Sequence, residues 1–484
     1  MNSSTAINRT TSITLTPMPP SFNRRHALRS MVAGSSLLPG LLSHMLAESG
    51  HSATSHDPLS PRPSPLPARA KRVIFLFMNG GVSHVDSWDP KPRLFSHAGD
   101  SVAIDEWQGR KGDYKMFLTR PLWNFRPYGQ CGTEVSDLFP HTAKCVDDIC
   151  VIRSMRSDHT NHYESTLGMH TGSFNFARPS LGSWVSYGLG SENKNLPSFV
   201  VLARAMPYAG NQVWSSDFLP GAHQGTLVVP GAEPIANIAR RAPTSRLQEL
   251  ELKAMAARDQ RHLLARSSDP MLAARMRSFS TAFGMQMQAP EIFDFSQESD
   301  ATLDLYGLKR GSTEGFGWQC LVGRRMAERG VRFIELIDGG SSNNWDSHGD
   351  MNAHGPLAKN VDLPIAGLLQ DLKQRGMLED TLVVWTTEFG RTPFKEAPNQ
   401  AGREHHHWAF SSWMAGAGIK GGTVYGATDD CGIRVAQDQV HVHDFHATIL
   451  HMLGFDHEQL TYRHNGRDYR LTDVAGHVVK NIIA

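Results

Sequence analysis

Acidic and imidazole side chains gather in the C-terminal half of the chain with the types and spacing of metal ligands. A single residue separates Asp346 from His348, and His354 follows soon after. Glu388 and His405 come later in the same region. Carboxylates and imidazoles are the ligands that proteins offer to divalent transition metals. The pattern therefore predicts a metal site, against the alternative of surface histidines and a helix cap.

A predicted helix and a predicted strand must position these side chains. Residues 361–375 carry apolar side chains at helical spacing, and Gly376 marks the end of that helix. Residues 381–387 are rich in β-branched and aromatic side chains, as in a buried parallel strand. Glu388 follows at the carboxyl end of that strand, which is the edge where open α/β sheets bind ligands.

The apolar run at residues 71–78 predicts a central parallel strand that also ends in polar residues. Asn79, Gly80 and Gly81 follow directly, and Asp86 comes shortly after them. Paired glycines at a strand end let the backbone approach a ligand closely. The GxGxxG fingerprint is absent, so a dinucleotide site is only weakly indicated. We therefore expect Asp86 to lie at the same edge as the predicted metal ligands.

Residues 149–155 predict another buried strand, which leads into a segment dense in acids and histidines. Asp158, His159 and His162 all lie there. We expect them at the carboxyl edge of the sheet, facing the predicted metal site. The alternative is a polar strand-to-helix turn with a capping side chain.

The remaining periodic segments complete an α/β pattern in which helices alternate with strands. We predict further strands at 196–202 and 331–337, helices at 137–150, 318–329 and 443–454, and a helical insertion at about 245–290. The expected fold is a three-layer α/β/α sandwich with a mostly parallel central sheet.

The charge balance excludes one broad class of partner. Lys and Arg number 48 against 47 Asp and Glu, which leaves a formal net charge of +1. Such a chain has no overall field that attracts nucleic acid, so no nucleic-acid partner is expected. The 24 histidines are numerous for 484 residues, and histidine suits metal binding and proton transfer.

The N-terminal region has the pattern of an export signal. Arg24 and Arg25 precede a weakly apolar run at residues 31–47, which resembles a twin-arginine translocation signal. We predict this signal over residues 1–48 and a Pro/Ser-rich linker over 49–70. The twin-arginine export machinery is then a partner, and the location is periplasmic or extracellular. The protein would be anchored if the signal is not cleaved, with no membrane span beyond it.

The order of motifs over residues 71–484 resembles one family. It is domain-of-unknown-function family 1501, a sulfatase-like branch of the alkaline phosphatase superfamily. Four motifs carry the resemblance together, although any one alone would be weak: Asn79-Gly80-Gly81 with Asp86, Trp345-Asp346-Ser347-His348, Glu388-Phe389-Gly390-Arg391-Thr392-Pro393 and Gly402-Arg403-Glu404-His405. The resemblance implies an alkaline-phosphatase-like fold for this sulfatase-like domain.

The resemblance also implies a function and its cofactor. Relatives cleave sulfate or phosphate esters with divalent metals, so we expect Zn, Mn or Ca and a small-molecule or polysaccharide ester as substrate. The implied metal ligands are Asp346, His348, His354, His405, Glu388 and Asp86. Asp350 with His354 is an alternative ligand pair. Glu388 would act either as a ligand or as a general base.

The implied catalytic residues are His162, Glu388, Arg391, Asp158 and His159. Arg391 would hold an anionic ester oxygen through its charged fork. His162 falls near the place of the sulfatase nucleophile, where no Ser, Thr or Cys aligns securely, although Thr160 and Ser165 lie nearby.

Two departures from the sulfatase pattern leave a second function open. Phe389 replaces a metal-binding histidine, and Asn79 stands where an aspartate would ligate. Both substitutions weaken a second metal position. The alternative to a metallohydrolase is therefore a non-catalytic binding protein that keeps the fold with a degraded metal site.

Overall fold

The central strand of the sheet, Arg72–Met78, is almost wholly buried.

The structure is a computed structural model, and it describes residues 58–107, 109–236, 238, 242–266, 270–397 and 400–484. The strands of this part of the chain are β1 (Arg72–Met78), β2 (Ser101–Trp107), β3 (Arg110–Leu118), β4 (Phe125–Tyr128), β5 (Thr133–Ser136), β6 (Ile149–Arg156), β7 (Phe199–Ala203), β8 (Thr226–Val228), β9 (Phe333–Asp338), β10 (Thr381–Thr386), β11 (Gly390–Arg391), β12 (Phe394–Lys395), β13 (His405–His406), β14 (Phe410–Ala415), β15 (Thr423–Tyr425), β16 (Ala427–Thr428), β17 (Val435–Gln437), β18 (Val440–His441), β19 (Tyr462–His464) and β20 (Arg467–Tyr469).

Helices connect these strands and cover the sheet. Those of the described residues are α1 (Pro92–Ser96), α2 (His162–Thr171), α3 (Leu181–Leu189), α4 (Ser245–Leu264), α5 (Pro270–Phe293), α6 (Asp300–Leu305), α7 (Phe316–Glu328), α8 (His354–Gln374) and α9 (Val442–Met452). Helices α4 and α5 occupy the predicted helical insertion.

The central sheet is mixed but mostly parallel, as predicted. Its described strands run in the order β15-β6-β14-β10-β1-β9-β7-β8, and β18 pairs with β6. Only β14 pairs antiparallel to its neighbours, β10 and β6. Strands β6, β10, β1 and β9 therefore all point the same way, and their carboxyl ends lie along one edge. Polar residues that follow these strands are brought together there.

Alternate side chains of β1 enter two different cores. Ile74 and Leu76 pack in a core that includes residues of α7 and α8. Phe75 and Phe77 pack in a second core with residues of α2, α3 and α9. Successive residues of a strand face opposite sides of the sheet, so helices cover both faces. The predicted three-layer α/β/α sandwich is confirmed.

One predicted segment differs from the structure in its secondary structure. Residues 137–150 are not an α-helix, because only a 3-10 turn forms over Thr142–Asp148. Pro140 opposes helix in the residue before it. The carboxylate of Asp362 also accepts hydrogen bonds from the backbone N–H of His141 and Thr142, each at 2.7 Å. These contacts fix the segment against α8 instead.

The predicted export signal lies outside the described residues, and so does the first part of the predicted linker. The remainder of that linker contacts the domain: the Arg62 N–H donates to the Leu189 carbonyl, and the Ala70 N–H donates to the Met452 carbonyl. Within the described chain, no helix combines the length and the apolar character needed to cross a bilayer.

Candidate metal centre

Four side chains converge at the carboxyl edge of the sheet. His162, Asp346, His348 and His405 each offer one ligand atom, and these atoms all lie within 4.8 Å of one another. We call this group the four-residue cluster. It is built from distant parts of the chain. His162 begins α2 after β6, Asp346 and His348 follow β9, and His405 lies on β13. These residues could hold a metal ion.

Short backbone approaches bring the contributing loops together. Gly80 has a φ of +117°, and a Cβ there would lie 2.6 Å from the Trp345 nitrogen and 2.8 Å from the Asp346 nitrogen. A Cβ on Gly402 would overlap the His348 carbonyl. Only glycine leaves room for these contacts. Both glycines therefore let neighbouring backbone lie against the loop that carries Asp346 and His348.

Each imidazole of the cluster is held by its Nδ1 atom. The His162 Nδ1–H donates to Glu388 at 2.6 Å, and the His348 Nδ1 lies 2.7 Å from the Glu404 carboxylate. The His405 Nδ1–H donates to the Thr160 carbonyl at 2.6 Å. A ligating histidine characteristically donates its other ring N–H to a carboxylate or carbonyl.

All three Nε2 atoms consequently face the cluster interior. The His348 Nε2 lies 2.8 Å from the His405 Nε2 and 2.9 Å from the Asp346 Oδ1. The His162 Nε2 is buried 3.3 Å from the Asp346 Oδ2 and has no hydrogen-bond partner of good geometry among the described residues. Nitrogen lone pairs directed at one another repel unless a proton or a metal cation lies between them. This donor set therefore fits a bound metal.

The groups around Asp346 determine its pKa. Burial alone would raise this pKa, but the neighbouring imidazoles of His162, His348 and His405, together with the charge of Arg391, hold it far below its usual range. Asp346 is therefore a carboxylate at any physiological pH. That is the form that ligates metals.

The three imidazoles titrate differently because their surroundings differ. Hydrogen bonds to Asp346 and Glu404 raise the pKa of His348 to about 9. Burial lowers the pKa of His405 to about 4. Burial also lowers the pKa of His162, but Asp346 and Glu388 outweigh it, so the net shift is upward.

Arg391 is wholly buried beside the cluster and already makes four hydrogen bonds. Its guanidinium donates to the Asp346 Oδ1 at 2.6 Å and to the Gly81 carbonyl at 2.9 Å. It also donates to the carbonyls of Gly80 and Arg403. This arrangement differs from the predicted grip on an ester oxygen, because the fork is committed to the backbone and to Asp346.

Glu388 supports the cluster from behind. Its side chain is fully buried, and it accepts hydrogen bonds from the Gly80 N–H at 2.9 Å and from His162. The Thr387 hydroxyl also donates to it, at 3.1 Å. Glu388 thus contacts a candidate ligand and does not itself belong to the four-residue cluster.

Two predicted ligands lie outside the cluster because other partners hold them. The His354 Nε2 accepts from the Ser83 N–H at 3.1 Å, and its Nδ1 lies 2.9 Å from the Ser347 hydroxyl. Burial lowers the pKa of His354 to about 3. Asp86 is ion-paired with Arg403 at 2.8 Å. Both residues brace the loops around the cluster.

The two remaining predicted residues, Asp158 and His159, lie in the loop between β6 and α2. The Asp158 carboxylate is 3.0 Å from the His441 Nε2, and that contact lowers the pKa of Asp158. The His159 Nδ1 accepts from the Asn161 N–H at 3.1 Å. Neither is brought into the four-residue cluster. Their loop still contributes the Thr160 carbonyl that holds His405.

Three residues at the cluster had not been predicted as functional. Glu404 pairs with His348, and its position beside His405 in the Gly-Arg-Glu-His turn was an available signal. Tyr208 stacks on His162 with ring centroids 4.1 Å apart, and Asn344 donates to the Tyr208 hydroxyl at 3.0 Å. Nothing in the sequence around Tyr208 indicates this proximity.

The family comparison covers nearly the whole described chain. A family model described as "Protein of unknown function (DUF1501)" matches residues 70–483. The chain belongs to this family. The matched range includes every residue of the four-residue cluster. No curated protein matches this DUF1501 chain.

Solved structures similar to this DUF1501 chain are distant. The lipoteichoic acid synthase LtaP from Listeria monocytogenes is 9% identical, with 82% of this chain and 76% of that chain covered and a TM-score of 0.33. The PsFucS1 sulfatase from Pseudoalteromonas sp. is 12% identical, with 83% and 75% covered and a TM-score of 0.34. The alkaline phosphatase from the Antarctic bacterium TAB5 is 11% identical, with 72% and 92% covered and a TM-score of 0.29. Similarity at this level does not define an activity for the chain.

Proposed function

We propose that this protein is a metal-dependent hydrolase of sulfate or phosphate esters. The metal would be one divalent ion held by the four-residue cluster. The observation that carries the proposal is the orientation of the three imidazoles, each with its Nδ1 held from outside and its Nε2 turned towards Asp346. Such an arrangement orders the ligands before the metal arrives.

The donor set favours zinc among the metals considered. Three imidazole nitrogens and one carboxylate suit zinc, and manganese is the second choice. Calcium takes six to eight oxygen ligands, which this cluster does not offer. We therefore propose Zn²⁺.

The chain's own residues would admit the ester from one side of the cluster. The His348 side chain is 39% exposed, whereas Arg391 and Phe389 beside the cluster are fully buried. A bound divalent ion would polarise an ester oxygen and acidify a coordinated water. Arg391 and the carboxylates that hold the imidazoles would keep the ligands oriented while the ester is bound.

Water is the proposed attacking group, because the cluster lacks a conventional nucleophile. Within the described part of the chain, Tyr208 supplies the only side-chain hydroxyl hydrogen-bonded to the four residues. The Ser165 hydroxyl donates to the His159 carbonyl at 2.7 Å. The reaction would then be a single hydrolytic displacement that releases an alcohol and sulfate or phosphate.

The activity test is a panel of chromogenic esters. Aryl sulfate, aryl phosphate and aryl phosphonate monoesters are assayed with added Zn²⁺, and again after chelation. We expect hydrolysis of at least one ester, lost on chelation and restored by metal. The Asp346→Asn variant should lower kcat/KM by about 100-fold or more, since it removes a charged ligand. The control His97→Ala changes an exposed histidine that lies outside the cluster, and it should leave kcat/KM unchanged.

A non-catalytic binding protein is the second candidate. The absence of a serine, threonine or cysteine side chain bonded to the cluster, within the described residues, favours it, and so does the commitment of Arg391 to other partners. A protein that binds the metal but turns over no ester of the panel would support this candidate over the hydrolase.

We also propose that the protein is exported by the twin-arginine route. The support is the pair Arg24 and Arg25 before the weakly apolar run at 31–47. Replacing both arginines with lysine should retain the protein in the cytoplasm, as measured by cell fractionation. Normal export of that double variant would overturn the proposed route.

A further inference from the structure

Tyr208 contacts two members of the four-residue cluster at once. Its ring lies parallel to the His162 imidazole, with centroids 4.1 Å apart and an interplanar angle of 6°. Its hydroxyl lies 3.4 Å from the Asp346 Oδ2. Phe389 lies against the same imidazole, with centroids 4.8 Å apart. The His162 ring is therefore held between aromatic neighbours as well as by Glu388.

The direction of the Tyr208 hydroxyl is set by Asn344. The Asn344 Nδ2 donates to the phenol oxygen at 3.0 Å and to the Gly340 carbonyl at 2.7 Å. Because the phenol oxygen accepts from Asn344, its own hydrogen is directed to Asp346. The Asn344 Oδ1 in turn accepts from the Asp346 N–H at 2.9 Å. Asn344 thus ties the backbone of Asp346 to the phenol that contacts its side chain.

Partners on both oxygens fix the carboxylate of Asp346. The Oδ1 atom contacts Arg391 at 2.6 Å and His348 at 2.9 Å. The Oδ2 atom has the longer contacts, at 3.3 Å to His162 and 3.4 Å to Tyr208. Tyr208 is thus the hydrogen-bond donor that holds the second oxygen. Without it, the Oδ2 atom would keep only its 3.3 Å contact with His162.

We infer that Tyr208 is a positioning residue for the metal centre. Its ring orients His162, and its hydroxyl orients Asp346. This inference rests on the proposed function, because it assumes that these two residues ligate a metal. Outer partners of metal ligands are typically worth about 10- to 100-fold in metal affinity or activity. Tyr208 would contribute through two ligands.

The test compares metal affinity in three variants of the full chain. Tyr208→Phe keeps the ring and removes the hydroxyl, and Tyr208→Met removes both the hydroxyl and the aromatic stack. The control is Tyr163→Phe, whose lost hydroxyl accepts from Gln212 at 2.6 Å on the nearby surface. Zn²⁺ affinity is measured by competition with a chromophoric chelator. The visible spectrum of the Co²⁺-loaded protein reports ligand geometry, and thermal unfolding without metal reports folding.

We expect Tyr208→Phe to weaken Zn²⁺ binding by about 10-fold or more and to shift the Co²⁺ spectrum, with metal-free unfolding unchanged. Tyr208→Met should weaken binding further, and Tyr163→Phe should match the wild type. Wild-type affinity and spectrum in Tyr208→Phe would overturn the inference while leaving the proposed function standing. A wild-type protein that binds no metal would instead overturn the proposed function.

Discussion

At the residue scale, each imidazole of the cluster depends on the acceptor behind it. Glu388 is the most constrained of these acceptors, since it is fully buried and also accepts from the Gly80 N–H. It holds His162 in the tautomer that leaves Nε2 unprotonated. Its influence on a bound metal is therefore exerted through His162.

The Glu388→Gln variant tests this dependence. A glutamine can accept from His162 with its oxygen, but its NH₂ group would then face the Gly80 N–H. We expect the imidazole to lose its fixed orientation and Zn²⁺ affinity to fall by about 10- to 100-fold, as measured by chelator competition. Glu192→Gln is the matched control, because Glu192 pairs with Arg332 away from the cluster. Equal affinities in the two variants would contradict the role of Glu388.

Asp338 provides a prediction about pH that is independent of metal. The Trp345 indole donates to its Oδ2 and Asn360 donates to its Oδ1, each at 3.0 Å. Burial nevertheless outweighs these bonds and raises the pKa of Asp338 from 3.8 to about 6. The folded state therefore binds this proton more tightly than the unfolded state does.

The free energy of unfolding should therefore fall as pH rises from about 4 to about 6, because the unfolded chain loses this proton first. A shift of about two units corresponds to about 3 kcal/mol at most. Urea unfolding of the wild type and of Asp338→Asn across this range isolates the contribution. The free energy of unfolding of the wild type minus that of Asp338→Asn should fall by about 2–3 kcal/mol over this range and stay constant above about pH 7. If the unfolding free energies of the two proteins change in parallel with pH, Asp338 does not have the raised pKa.

The sequence identified the cluster better than its surroundings. His162, Asp346, His348 and His405 were all predicted as functional, because each follows a strand or lies in a recognisable motif. His354 was grouped with the ligands from the resemblance and its place near His348, and neither reveals that two serines hold its ring. Tyr208 was missed because its approach to His162 depends on tertiary packing.

At the element scale, the cluster depends on close contact between the ends of β1 and β9. Gly80 follows β1 and lies against the 345–346 backbone. Gly80→Ala should weaken Zn²⁺ binding by about 10-fold or more, since its Cβ would displace the loop that carries Asp346.

Gly99→Ala is the control for backbone strain. Gly99 has a φ of +91°, and a Cβ there would meet no atom within 4 Å. Gly99→Ala should lose about 1–2 kcal/mol of stability from its positive φ, measured by urea unfolding, and Gly80→Ala should lose more because its Cβ also meets the Trp345 backbone. Only Gly80→Ala should also lose metal affinity. A Gly80→Ala protein with wild-type affinity would show that the contact does not position Asp346.

Strong periodicity predicted the elements that matter most for the site. Strands β1, β6, β9 and β10 are long apolar or β-branched runs, and each falls where it was predicted. Strand β14 was not predicted. It carries Ser411 and Ser412 between apolar residues, and its burial depends on neighbours on both sides. The local sequence of β14 does not indicate that neighbouring strands bury it.

At the scale of the whole molecule, the sheet acts as a platform that brings residues far apart in sequence to one edge. His162 and His405, which are far apart in the sequence, come together in the cluster at this edge. Two helical layers protect the sheet, while the cluster stays partly open at His348. This combination of a rigid base and an accessible centre suits a site that binds a metal and then a substrate.

Metal content is the sharpest test of whether the four-residue cluster binds a metal ion. The purified protein is stripped with chelator, titrated with Zn²⁺ by calorimetry and analysed by mass spectrometry for bound metal, beside Asp346→Asn, His405→Ala and the control His97→Ala. We expect about one tightly bound ion per chain in the wild type and in the control. The two cluster variants should lose about 100-fold or more in affinity. If the wild type holds no tightly bound ion, or if both cluster variants bind as the wild type does, the four residues are not a metal site.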